Sequence, residues 1–157
     1  MSAAAESSAL DQQVWRLLAD VPDPEIPVVS IVDLGIVRYV RRDEAGRLHV
    51  GITPTYSGCP ATAVIRSATR AALDAAGYAD ALLEEVLAPA WSSDWVTPAG
   101  RARLAAFGIA PPQADPVRCP RCGSAATERV SEFGSTPCKA HYRCTQCREP
   151  FDRFKCI

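Results

Sequence analysis

The sequence lacks several features that would assign it to common functional classes. No apolar run approaches the roughly 20 residues that a membrane-spanning helix needs, and the first ten residues, MSAAAESSAL, have neither the basic nor the apolar region of a secretory signal. The chain also has no paired Glu-x-x-His motifs for a di-iron site, no glycine-rich dinucleotide fingerprint and no plant-type ferredoxin cysteine spacing. We therefore expect a cytoplasmic protein with no membrane partner that neither activates oxygen nor transfers electrons itself.

Cysteine is scarce in most of the chain and concentrated near its end. Six of the seven cysteines lie between residues 119 and 156, and Cys59 is the seventh. Charge divides at nearly the same place, because residues 1–117 carry 9 basic and 14 acidic side chains (−5) whereas residues 118–157 carry 8 and 4 (+4). An odd cysteine count without an export signal argues against a disulfide framework and for metal ligation or thiol chemistry.

A proline-rich segment marks the predicted domain boundary. Residues 110–117 contain three prolines and little that could be buried, which is typical of a linker. We therefore expect a first domain at 1–109, a linker at 110–117 and a second domain at 118–157. A domain as short as the second one holds no stable core without a disulfide or metal staple.

The first domain is predicted to be a small α+β fold, with helices packed on a mixed three-stranded sheet. Hydrophobic periodicity and capping residues predict helices at 9–20, 61–76 and 97–107, and β-branched or alternating segments predict strands at 36–40, 48–53 and 82–87. In the second helix, four residues are expected to face the core: Val64, Ala68, Ala71 and Leu73.

Two C-x2-C pairs, separated by 21 residues, predict a metal site in the second domain. They consist of Cys119, Cys122, Cys144 and Cys147. This spacing is typical of four-thiolate zinc sites, in which a hairpin of strands at 127–133 and 139–143 forms a zinc ribbon. A closed four-cysteine zinc has no open coordination position, so its role would be structural; iron in the same ligand set is the rival interpretation.

The remaining residues with metal-binding side chains have no clear pattern. Cys138 and Cys156 are either incidental thiols or ligands of a labile second site, and the two histidines, His49 and His141, are expected to be structural. Four thiolates on Zn²⁺ reduce the charge of the second domain from +4 to about +2. No nucleic-acid partner is therefore expected.

Cys59 lies between Gly58 and Pro60, directly before the second predicted helix. The N–H groups and positive dipole end of a helix lower the pKa of a thiol, which favours a reactive or metal-binding thiolate. A buried structural cysteine is the alternative, and no His, Asp or Glu adjoins Cys59 in sequence to act as a base.

Two motifs in the first domain together resemble the SufT-type domain of iron–sulfur assembly factors. They are the segment DPEIPVVSIVDLG, which begins at Asp23, and the pattern Thr53-x5-Cys59-Pro60. The resemblance covers about residues 10–108. It implies that Cys59 is a transient ligand for iron or an iron–sulfur cluster, with Asp23 and Glu25 as candidate carboxylate ligands, and that Asp33 is a structural cap.

The second domain resembles the C-terminal region of the PaaD (PaaJ) family of accessory proteins of the phenylacetyl-CoA epoxidase system. The resemblance rests on the segments FGSTPCKA and YRCTQCREPFDRFK. It implies a non-catalytic maturation factor in aerobic phenylacetate degradation, whose partners are the oxygenase subunits, the iron–sulfur flavin reductase or both. A structural subunit of the oxygenase, a thiol oxidoreductase and a general assembly factor are the alternatives, and the oligomeric state, including a homodimer, is left open.

Overall fold

A computed structural model of the protein describes residues 9–56 and 59–157. Residues 1–8, which were considered above as a signal segment, and Gly58, which precedes Cys59, lie outside the described residues. The chain divides into two compact units, Met1–Ala90 and Trp91–Ile157. We refer to them as the assembly unit and the ribbon unit and describe each by itself.

The assembly unit is an α+β fold around a mixed sheet, which confirms the predicted fold class. Strand β2 lies in the centre, antiparallel to β1 and parallel to β3. The elements, in chain order, are α1 (Ala9–Leu18), β1 (Val37–Arg42), β2 (Leu48–Ile52), α2 (Ala61–Ala75) and β3 (Leu82–Glu85).

A tight turn joins β1 to β2, where the sequence has Asp-Glu-Ala-Gly. The Asp43 side chain accepts hydrogen bonds from the backbone N–H groups of Ala45 and Arg47, and Gly46 has the positive φ of 80° that closes the turn. Asp and Gly favour such turns because a short carboxylate can satisfy nearby N–H groups and glycine has no Cβ to clash. The hairpin is thus encoded locally.

The face that α2 buries differs from the predicted one. Leu73 is buried as expected, but Val64 is 53% exposed and Ala71 is also exposed. The buried residues instead follow a strict four-residue spacing: Ala61, Ile65, Thr69 and Leu73. Alanines lie on every side of the helix, so its sequence does not show clearly which face is apolar. Thr69 fits in the buried face because its hydroxyl donates to the Ile65 carbonyl at 2.7 Å.

The ribbon unit is built on a four-stranded sheet with the order β4-β7-β6-β5. Strand β7 pairs antiparallel with β6 and parallel with the short β4, and β5 is antiparallel to β6. After a 3-10 helix (Ser93–Trp95), its elements are α3 (Pro98–Phe107), β4 (Ile109–Ala110), β5 (Thr127–Ser131), β6 (Lys139–Cys144) and β7 (Pro150–Phe154).

The division between the units lies about 20 residues before the predicted linker at 110–117. Because Ile109 and Ala110 pair with Asp152 and Arg153, α3 and β4 join the ribbon sheet rather than the assembly unit. The ring of Trp91, at the start of the ribbon unit, also lies 5.9 Å from that of Phe154. This contact-based division thus lies earlier than the predicted bounds 1–109 and 118–157, which stay a prediction.

A small core fills one face of the ribbon sheet and includes two of the cysteines. Its buried members are Ala110, Val117, Cys119, Ala140, Tyr142, Cys144 and Phe151. A cluster this small gives the cysteine turns little hydrophobic stabilisation of their own, and a metal staple contributes most in such a place. In the described part of the chain, no helix combines the length and apolarity needed to cross a membrane.

Candidate metal centre and the Cys59 segment

The structure brings the four predicted zinc ligands together. The sulfur atoms of Cys119, Cys122, Cys144 and Cys147 all lie within 4.8 Å of one another. The Cys119–Cys147 and Cys122–Cys144 sulfur pairs are 3.7 and 3.6 Å apart. In a tetrahedral site with zinc–sulfur bonds of about 2.3 Å, the sulfur atoms are about 3.8 Å apart. The two named sulfur pairs therefore have the spacing of a four-cysteine zinc site.

Two similar turns hold these thiols. In the first turn, the Cys119 N–H donates to the Ser124 carbonyl at 2.9 Å, and the Gly123 N–H donates back to the Cys119 carbonyl at 2.8 Å. In the second, the Cys144 N–H donates to the Glu149 carbonyl at 3.0 Å. Each C-x2-C pair thus closes on its own backbone and directs both sulfurs to one point, as the spacing predicted.

The electrostatics of the cluster favour a bound cation. Backbone N–H groups at Cys147 and Gln146 lower the pKa of Cys144 to about 7, despite its burial. The pKa of Cys147 is raised to about 12 although the Glu149 backbone favours ionisation, because burial and hydrogen bonds with the neighbouring thiols favour its protonated form. A divalent cation reverses this competition by stabilising all four thiolates together.

Cys138 and Cys156 do not join this cluster. Cys138 is buried just before β6, with its sulfur 3.0 Å from the Thr136 hydroxyl. Cys156 is exposed, and its thiol donates to the Gln113 carbonyl at 3.3 Å. Across residues 9–56 and 59–157, the four ribbon cysteines are the only group of three or more His, Cys, Asp or Glu with ligand atoms close enough to hold a metal.

Cys59 is half-buried and lies two residues before the first residue of α2. Its N–H donates to the Tyr56 carbonyl at 3.3 Å, and its carbonyl accepts from the Thr62 N–H at 3.1 Å. The backbone of Cys59 is therefore fixed to the first turn of the helix, in the position that the Cys-Pro motif predicted.

Asp23 forms a tight turn rather than an open carboxylate. It is 6% exposed, and its Oδ1 accepts from the backbone N–H groups of Glu25 and Ile26 at 2.9 and 2.8 Å. Glu25 is half-buried in the same turn. Asp33 exchanges hydrogen bonds of 3.0 Å with Ser30, which is the reciprocal cap expected of it. In the described residues, Asp23, Glu25 and Cys59 do not form a metal-holding group, so their joint role stays a prediction.

A cluster of polar side chains on the three-stranded sheet was not predicted. Glu84 on β3 accepts hydrogen bonds from the hydroxyl of Tyr39 and the guanidinium of Arg41, and its Oε1 lies 2.7 Å from His49 Nδ1. The bonds from Tyr39 and then His49 lower the pKa of Glu84 to about 2. Tyr39 and Arg41 are two residues apart on β1, and the strand pairing places them on the same face of the sheet as His49 and Glu84. The alternation along β1 is visible in the sequence.

The comparisons with known proteins agree with both units. Residues 109–155 match the PaaD zinc beta ribbon domain, and residues 11–80 match a family described as iron–sulfur cluster assembly protein. The chain is 51% identical over 153 residues to an Escherichia coli K12 protein, covering 92% of both chains. That relative is named as a subunit of a "Putative 1,2-phenylacetyl-CoA epoxidase".

The chain belongs to the PaaD family. A second relative, the Fe-S protein maturation auxiliary factor YitW of Bacillus subtilis, is 37% identical over 87 residues, covering 55% of this chain and 84% of the relative. PaaD membership fits the sulfur geometry, and the four ribbon cysteines form a site that can bind zinc. The iron–sulfur assembly region is in turn compatible with transient iron or cluster binding.

Two solved structures resemble about two thirds of the chain. A DUF59 domain from Bacillus anthracis superposes with a TM-score of 0.57 at 28% identity, covering 62% of this chain and 93% of that one. A conserved hypothetical protein from Thermotoga maritima gives 0.51 at 24% identity, covering 66% and 98%, which supports the fold alone.

Proposed function

We propose that this PaaD-family protein is a non-catalytic maturation factor for a phenylacetyl-CoA epoxidase system. It assists the insertion of iron or an iron–sulfur cluster into the oxygenase or its reductase. The observation that carries this proposal is the combination, in one chain, of an iron–sulfur assembly region that contains Cys59 with a PaaD ribbon. The relative named as an epoxidase subunit supports the link to an epoxidase system, and the relative named as a maturation auxiliary factor supports the role in maturation.

In this proposal Cys59 is the transient ligand of the cargo. Cys59 lies directly before Pro60, the N-cap of α2, at the end of a helix where backbone N–H groups lack partners within the helix. A half-buried position suits temporary binding, since the cargo has to enter and leave. Asp23 and Glu25 would assist through their negative charge, since both lie in the turn that the Asp-Pro-Glu segment forms.

The ribbon has a different role, as a docking module whose zinc is structural. All four ligand positions of such a site are filled by cysteine, so no position stays open for cargo or chemistry. Loss of the zinc would therefore impair partner binding without removing the cargo ligand.

Metal analysis after anaerobic purification tests this division of labour. We would compare the wild type with Cys59→Ala, Cys122→Ala and, as a control thiol, Cys156→Ala. Iron is supplied as ferrous salt or as a reconstituted cluster. We expect bound zinc to be lost only in Cys122→Ala and bound iron to be lost only in Cys59→Ala. Iron binding that survives Cys59→Ala, or growth on phenylacetate unaffected by that substitution, would contradict the proposal.

The carboxylates need variants that spare the turn. Asp23→Asn removes the charge but keeps an oxygen that can accept from the N–H groups of Glu25 and Ile26. Glu25→Gln likewise removes the charge of the second carboxylate with little change in size. Reduced iron affinity with an unchanged melting temperature would support a ligand role. Unchanged affinity in both variants would limit Asp23 to its turn.

A stable structural subunit of the oxygenase is the second candidate, because the Escherichia coli relative is named as a subunit. Co-purification with the active oxygenase in a fixed ratio would favour it, and absence from the active complex would favour the transient helper. A general assembly factor would instead supply clients outside the epoxidase, which proteomics of clusters lost in a deletion strain would detect.

A further inference from the structure

The four thiols of the metal centre differ in exposure. Cys119 and Cys144, which come first in each C-x2-C pair, are buried, whereas Cys122 and Cys147, which come second, are exposed. A four-cysteine site that only staples the fold does not need exposed ligands. Each turn thus presents one sulfur that a small reagent in solution can reach.

The close sulfur contacts run from one turn to the other. The sulfurs of Cys119 and Cys147 are 3.7 Å apart, and those of Cys122 and Cys144 are 3.6 Å apart. Each contact therefore pairs an exposed sulfur with a buried one. A disulfide bond of about 2.05 Å would require the two sulfurs of each pair to approach by about 1.6 Å.

Exposed thiolates with a second thiol nearby are the cysteines that oxidants convert to disulfides. Metal binding keeps thiols deprotonated, and the thiolate is the form that reacts with a hydroperoxide. The resulting sulfenic acid condenses with a neighbouring thiol. Cys156 is also exposed, but its sulfur contacts the Gln113 carbonyl at 3.3 Å and the Arg153 guanidinium at 3.7 Å instead of a thiol. Exposure alone therefore does not make Cys156 equivalent to Cys122 and Cys147.

We propose that the ribbon metal centre is a reversible redox switch, in which a hydroperoxide forms the cross-turn disulfides Cys119–Cys147 and Cys122–Cys144 and bound zinc leaves. The effect on partner binding rests on the docking role proposed above. The disulfide chemistry rests only on the arrangement of the four thiols and does not involve Cys59.

The reaction balances in two steps for each pair. The exposed thiolate attacks one peroxide oxygen, so an S–O bond forms, the O–O bond breaks, and the sulfur is oxidised to a sulfenic acid while the peroxide is reduced. The buried thiolate then attacks this sulfur, so the S–S bond forms, the S–O bond breaks and hydroxide leaves. Each pair consumes one hydroperoxide and two protons and yields one disulfide, one alcohol and one water; hydrogen peroxide yields water in place of the alcohol. Two oxidised pairs offer no thiolate to a metal.

Cross-turn bonds would preserve the scaffold of the ribbon after the zinc has left. They link residues 28 and 22 positions apart, so the two turns stay joined. A disulfide within one C-x2-C pair would leave the turns free to separate. Loss of the metal and of its four thiolate charges would also return the charge of residues 118–157 from about +2 to +4. The switch thus changes the charge of the docking module more than its fold.

The proposal is tested on the full zinc-loaded chain, purified under nitrogen and then freed of reductant. Hydrogen peroxide is added in steps, a chromogenic chelator measures released zinc, and peptide mapping by mass spectrometry without reduction identifies the disulfides. The wild type carries the test, so the result does not depend on whether a ligand variant binds zinc. Cys156→Ser, which lacks the exposed thiol outside the cluster, is the matched control.

We expect the loss of bound zinc to match the yield of the two cross-turn disulfides, and reductant with added zinc to reverse both changes. Cys156→Ser should give the same result. Hydrogen exchange in β6 and β7 should be slower in the oxidised chain than in the reduced, metal-free chain. Disulfides within the C-x2-C pairs, sulfinic acids as the main product, or zinc retention while Cys156 is oxidised would overturn the proposal.

A binding assay separates this inference from the proposed function. Purified oxygenase and reductase are offered to the zinc-loaded and the oxidised chain, and we expect weaker binding by the oxidised form that recovers after reduction and zinc addition. Equal binding by both forms would contradict the docking role of the zinc-loaded ribbon, whereas the mapped disulfides would still stand.

Discussion

Gly123 and Arg148 occupy equivalent positions in the two turns of the metal centre. Each directly follows the second cysteine of its C-x2-C pair, and each has a positive φ, 75° for Gly123 and 65° for Arg148. Glycine adopts this conformation freely, whereas a residue with a Cβ is disfavoured there by about 1–2 kcal/mol. The two turns are alike in geometry but differ in backbone strain.

We predict that Arg148→Gly stabilises the zinc-loaded ribbon unit by about 1 kcal/mol, because it removes that strain. Gly123→Ala should destabilise it by a similar amount, since a Cβ on Gly123 contacts nothing within 4 Å and only the backbone cost remains. Thermal unfolding with zinc in slight excess measures both changes. A lower melting temperature for Arg148→Gly would mean that the arginine side chain contributes more than its strained backbone costs.

The zinc site should also control the stability of the ribbon unit. Cys122→Ser removes one of four ligands, and the cluster of seven buried residues around the site, two of which are themselves ligands, is too small to replace the metal. We expect loss of bound zinc and fast amide exchange in β5, β6 and β7, while β1, β2 and β3 stay protected. Hydrogen-exchange mass spectrometry with zinc analysis measures this. Cys156→Ser, at an exposed thiol outside the cluster, is the matched control and should retain both.

The metal centre could be predicted from the sequence because its information is local. Two residues between cysteines specify a turn, and the structure brings together the four thiols that this spacing predicted. The hairpin at Asp43 and Gly46 is local in the same sense. The pairing of Ile109 with Asp152 is not, since it joins positions more than 40 residues apart and no turn or cap near either one signals it. For that reason the linker composition of residues 110–117 does not reveal that Ile109 and Ala110 pair with β7.

Burial was the other property that the sequence did not reveal. Lysine is among the residues most often exposed, yet Lys139 is only 5% exposed. The carboxylate of Asp23 reads as an available ligand, whereas one of its oxygens is occupied by the turn that the same motif forms. In both cases the contacts that decide the role of the side chain depend on how backbone segments pack.

Gly51 should be intolerant of any side chain. A Cβ there would lie 2.4–2.8 Å from ring atoms of Tyr39, the residue opposite it on β1. The ring cannot move aside easily because its hydroxyl is bound to Glu84. We expect Gly51→Ala to destabilise the assembly unit by about 1–3 kcal/mol, which is typical of overpacking. Urea unfolding measures it, and the same substitution in a Tyr39→Ala background should cost much less. Equal costs in the two backgrounds would disprove the clash.

The His49–Glu84 pair should make the stability of the assembly unit depend on pH. Hydrogen bonds to Glu84 and then Asp43 raise the pKa of His49 above its ordinary 6.5, so the stability that it adds is complete below that value and is lost as the pH rises through the raised pKa. Glu84 has its pKa lowered from 4.5 to about 2, so its contribution is complete above 4.5 and is lost as the pH falls towards 2.

Together these two shifts place the largest contribution of the pair between about pH 4.5 and 6.5. We expect the difference in unfolding free energy between wild type and Glu84→Gln to be greatest in this window and smaller on either side, when measured by urea unfolding of β1–β3 probes. NMR titration should show the pKa of His49 falling in Glu84→Gln. A difference that stays constant as the pH rises above 6.5 would show that Glu84 acts through Tyr39 and Arg41 without His49.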